Sequence, residues 1–115
     1  MVHVYRIAVS EYPEIKKEEL KQLIKAHSAI FKGYCLSYFD GDVRYSYFGD
    51  SLEIKDIHFD TEGGRLSFTV AIGYYDACKD KNTLDDPIFN VQFRFDKATS
   101  AIIFELEESL WHENN

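Results

Sequence analysis

Hydrophobic residues change period twice along this chain. Residues 2 to 9 alternate, with Val2 and Val4 on one side and Tyr5, Ile7 and Val9 on the other, which predicts a partly buried strand. Leu20, Leu23, Ile24, His27, Ile30 and Phe31 then recur at three- and four-residue spacing, the apolar stripe of one amphipathic helix from about Pro13 to Lys32. Ser10 or Glu11 can open that helix. Pro13 suits its first turn, where a missing N–H has no partner to lose, and Gly33 can close it in the left-handed conformation.

Beyond Gly33 the period becomes two. Tyr34 to Phe39 and Val43 to Phe48 read as strands joined by a turn at Asp40-Gly41-Asp42, and Leu52, Ile54, Ile57 and Phe59 mark another, with a bulge where alternation breaks at Asp56. Leu66, Phe68, Val70, Ile72 and Tyr74 share one face of a long strand whose other face carries Arg65, Ser67, Thr69, Ala71 and Gly73. Residues 76 to 87 form the longest break and are expected as a surface loop. Phe89 to Phe95 and Ile102 to Leu106 alternate around a turn at Lys97 to Ser100, a hairpin pattern. These elements predict an α+β fold: one N-terminal amphipathic helix packed on a curved, mainly antiparallel sheet of about six or seven strands, consecutive strands being neighbours. A length of 115 residues fits a single domain, residues 1–115, able to bury its own core. The order of elements is similar to that of cystatin-like and NTF2-like cones. That outline implies, as a second reading, a cone-shaped protein holding a small ligand between helix and sheet.

Charge divides the chain unevenly. Residues 1 to 32 hold six Lys or Arg against four Glu, whereas residues 33 to 115 hold sixteen Asp or Glu against seven Lys or Arg, with fifteen of the eighteen aromatics. A net charge of −7 disfavours direct contact with nucleic acid, which needs clustered cations to displace counterions. Lys16, Lys17, Lys21 and Lys25 are interleaved with Glu14, Glu18 and Glu19, which marks a solvated helix face. With no apolar run long enough for a span and no leader pattern, a cytoplasmic location without membrane contact is expected. Cys35 and Cys78 are then two reduced thiols.

Catalytic signatures are not found. His3, His27, His58 and His112 lack the spacing of a zinc site, the paired acids do not fit a calcium loop, and no nucleophile elbow or phosphate loop occurs. No metal, cofactor or enzymatic activity is expected. His27, on the apolar stripe, is the histidine best placed for proton transfer in a covered pocket. Tyrosines mixed with carboxylates suit the binding of Arg and Lys, because rings take the guanidinium face and carboxylates its edge. Tyr45 and Tyr47 are expected on an exposed face, so the candidate contact set is Asp40, Asp42, Tyr45, Tyr47, Asp76, Asp80, Asp85 and Asp86. The leading expectation is a small acidic inhibitor that neutralises a basic partner protein, in the manner of bacterial immunity proteins against nuclease toxins. A homodimeric subunit with no ligand is the third reading.

Overall fold

The computed structural model describes residues 1–39, 44–76 and 81–108, with backbone alone for Asp76 and residues 81–83. Strand β1 (Val2–Ala8) is followed by helix α1 (Lys17–Ala26), a 3-10 turn (Ser28–Phe31) and helix α2 (Lys32–Ser37). Five strands complete the described chain: β2 (Tyr45–Phe59), β3 (Gly63–Asp76), β4 (Lys81–Asp85), β5 (Ile88–Asp96) and β6 (Ala101–Glu107). All pairings are antiparallel in the order β1-β6-β5-β3-β2, and β4 pairs with β3 beyond the end of β5. The sheet is open, and the fold is α+β as its periodicity indicated.

The helical region differs from the single helix expected over Pro13 to Lys32. Residues 9 to 15 are held by the sheet instead. The Val9 N–H donates to Ser100 O at 2.9 Å, the Tyr12 hydroxyl donates to Gly63 O at 3.0 Å, and the Tyr12 ring stacks on Phe95 with centroids 4.4 Å apart. These tertiary contacts override the helical start signals, and α1 opens only after extended Lys16, with Glu18 and Glu19 in its first turn where the helix dipole favours them. Gly33 does not end a helix. It lies inside α2, and the stretch Tyr34 to Ser37, expected as strand, is helical because Phe31, Cys35 and Leu36 bury together on one side.

Strand β2 joins two segments expected to be separate. Register shifts lie between Phe48 and Glu53 and between Ile54 and Asp56, the second at the expected bulge. Across the first, Ser51 Oγ donates to Phe48 O at 2.6 Å and accepts the Ala71 N–H at 2.7 Å, so a side chain replaces the missing ladder bond. Strand β4 occupies part of the stretch expected as a loop, because β3 outruns β5 and leaves an edge at Ile72–Asp76 for it to pair with. Neighbouring order holds for β2/β3, β3/β4 and β5/β6, whereas β1 lies beside β6. The turn at Asp40 to Asp42 lies outside the described residues.

One sheet face is covered. Leu20, Ile24, Phe31 and Cys35, each 0% exposed, pack toward Leu52, Ile57, Phe68, Val70, Ile102 and Phe104, which are equally buried. Phe31 is the centre of the contact, tilted against Phe68 at 4.8 Å and edge-on to Phe104 at 5.3 Å.

Candidate functional site

Alternation along the strands assigns the opposite face, on which no described element packs. Register puts Phe48 beside Ala71, Leu84 beside Gly73 and Ile88 beside Thr69, with Tyr75 two residues further along β3. Phe48 is 48% exposed, Tyr75 46%, Leu84 64% and Ile88 59%. Small residues in the middle and large ones around them make a local apolar cluster, since adjacent strands lie only about 4.8 Å apart. Asp50 and Asp86 are exposed two positions along the chain from Phe48 and Ile88 and form no ion pair with a described residue, whereas Asp85, in register with core-facing Ile72, belongs to the other face. Glu53, in register with Thr69, pairs with Lys55 at 3.0 Å, and this contact holds its carboxyl below the usual range.

Further along the same face the side chains become polar. Two cross-strand rows, Asp56–Ser67–Asn90 and His58–Arg65–Gln92, line a groove of about 410 Å³. His58 Nε2 meets Asp56 Oδ2 at 3.0 Å, and Ser67 donates its hydroxyl to Asn90 Oδ1. Ser67 is thus bonded to an amide and not to the histidine, and the His–Asp pair is open to water on both members, so the three residues are not arranged as a nucleophile with its base. Toward β1, Arg94 pairs with Glu105 at 2.9 Å and Arg6 with Asp96 at 3.2 Å. Bonds from Thr99 and Arg6 hold the Asp96 carboxyl below its usual range.

The residues singled out from sequence are not all brought together. Tyr45 and Tyr47 face the helices, contrary to the exposed position expected for them. Tyr45 stacks on Phe39 at 4.4 Å and contacts Tyr74 at 4.8 Å; Tyr47 donates its hydroxyl to Ser28 O, and burial pushes its phenol up. The parity of β2 decides this, since Tyr45 and Tyr47 share register with core-facing Tyr74 and Ile72. Asp85 and Asp86 are exposed at the β4–β5 corner. Asp76 pairs with Lys81 through the backbone, and Asp40, Asp42 and Asp80 lie outside the described residues. His27 is exposed at the end of α1 with Nδ1 2.9 Å from Leu23 O, so it lines no covered pocket. Cys35 is a free, buried thiol whose pKa burial raises. Among the described residues no cluster of three or more His, Cys, Asp or Glu is placed to hold a metal ion, and no helix is long and apolar enough to cross a membrane.

Missed from sequence were Phe48, Leu84, Ile88 and Tyr75 as a group. The signal was available in Phe48, whose parity opposes Tyr45 and Tyr47; Leu84 could not be assigned without knowing that β4 exists. Neither a protein-family model, nor a curated protein, nor a solved structure matches this chain.

Proposed function

We propose that this protein is a small acidic binding protein that neutralises a basic partner protein, such as a nuclease toxin, by holding it against the uncovered face of the sheet. The observation that supports this reading is the cluster Phe48, Tyr75, Leu84 and Ile88, exposed on a sheet face, with the carboxylates Asp50 and Asp86, unpaired among the described residues, exposed two positions along the chain from Phe48 and Ile88. Large apolar side chains grouped on a surface favour association by leaving water, and carboxylates beside them select a cationic counterpart. A net charge of −7 steers such a partner inward; the desolvated apolar contacts then slow its release.

The test is affinity capture from the native host at low and high salt, using the native chain and a Leu84→Lys/Ile88→Lys variant. Both side chains are more than half exposed, so the fold should tolerate the change. The expected result is one basic protein, retained by the native chain at low salt, reduced at high salt and lost with the variant. An acidic partner, a partner indifferent to the double lysine, or a symmetric dimer in place of any complex would each refute the proposal.

A further inference from the structure

Arg65 is placed unlike the other arginines. Arg6 and Arg94 each hold a carboxylate, and Arg44 lies 5.2 Å from the centre of the Tyr74 ring. Arg65 is exposed in the polar groove and forms no ion pair with a described residue, in a chain with twenty carboxylates and thirteen Lys or Arg. Two acids lie close to Arg65: Asp56, engaged by His58, and Asp60, whose Oδ1 accepts the Glu62 and Gly63 N–H groups. Gln92 stands beside Arg65 on β5, and Asn90, whose Oδ1 accepts from Ser67, keeps its amide NH2 to donate. A second depression of about 370 Å³ shares His58, Arg65 and Gln92 with the groove. Gly63, at φ +149°, also lines it, and a Cβ there would lie 2.6 Å from the Arg94 Cα.

We propose that this groove binds a carboxylate group, with the Arg65 guanidinium gripping both oxygens and the Asn90 and Gln92 amides donating from the β5 side. The inference concerns a different part of the face from the apolar cluster and does not require the partner proposed above. Geometry favours a carboxylate over a phosphate: a planar fork matches two coplanar oxygens, and a single unpaired cation beside Asp56 suits one negative charge better than two. The carboxylate can belong to a small molecule or to an acidic side chain of a peptide.

The test is titration of the isotope-labelled protein with glutarate, with a short peptide carrying one Glu, and with inorganic phosphate, following the Arg65 Nε–H and the side-chain amides of Asn90 and Gln92 by NMR. Saturable shifts confined to those groups are expected with glutarate, with the peptide, or with both, and the stronger of the two identifies the source. Arg65→Lys should weaken binding about tenfold by losing the fork, Arg65→Gln should abolish saturation, and Arg94→Gln should leave it unchanged. An unaltered backbone spectrum controls for folding. No saturation, phosphate binding as tight as glutarate, or equal binding by the Arg65→Gln variant would overturn the assignment.

Discussion

Replacing Gly33 with alanine should destabilise this protein, the reverse of what alanine usually does inside a helix. Removing a helical glycine ordinarily gains about 0.5–1 kcal/mol. Here the new Cβ would lie 2.5 Å from Glu108 Cδ, far inside contact distance. Glu108 has little room to yield: it is 4% exposed, its carboxylate accepts the Tyr5 hydroxyl, His3 Nδ1 lies 3.8 Å away, and its own N–H donates to Met1 O at 2.8 Å. Moving the carboxylate aside breaks a hydrogen bond to a charged group, at a cost of about 1.5–3 kcal/mol. Set against the propensity gain, the net expectation is a loss of about 1–2 kcal/mol. Urea unfolding followed by far-ultraviolet circular dichroism would read this as a midpoint lowered by about 0.5–1.5 M at an unchanged slope. The same substitution in a Glu108→Ala background has nothing to displace and should be neutral or stabilising. If Gly33→Ala has the same effect in both backgrounds, the packing explanation is wrong.

Two further outcomes follow from buried rings. Phe31→Ala, at the junction of the helical layer with Phe68 and Phe104, should cost about 3–5 kcal/mol in the same assay, and a loss below about 1 kcal/mol would show that the helices are not held as described. Tyr5 is pushed up to about 12 by burial and then by its bond to Glu108, and Tyr12 up to about 12 by burial and then by Asp60. A pKa raised in the folded state means that the neutral phenol is favoured there. The contribution is therefore complete below about pH 10 and lost as pH rises toward 12. Phenolate absorbance should show these two tyrosines titrating late, with stability falling over that window; ordinary titration near pH 10 without loss of stability would contradict the burial.

Strand alternation carried most of the fold in the sequence. The β5–β6 hairpin, the inward face Leu66 to Tyr74 and the bulge near Asp56 were legible because each follows from a period of two or its interruption. The helix boundaries were not, because Pro13 and Gly33 are ambiguous signals settled at a distance. Tyr12 reaches Gly63 and Phe95, and Gly33 receives Glu108, contacts separated by dozens of residues. Strand β4 was hidden because Lys81-Asn-Thr-Leu-Asp85 has little strand propensity and pairs only because β3 offers an edge. The candidate site suffered from the same gap. Without β4 there was no reason to place Leu84 near Phe48, and the tyrosines chosen for the surface turned inward with their strand.

Hydroxyl-radical footprinting of the captured complex tests the docking claim most directly, because it labels exposed side chains on both sides of the molecule. Phe48, Tyr75, Leu84 and Ile88 should lose labelling on binding, while Tyr38, 63% exposed on the helical side, keeps it. Protection of Tyr38 with the sheet-face cluster still labelled would contradict the account.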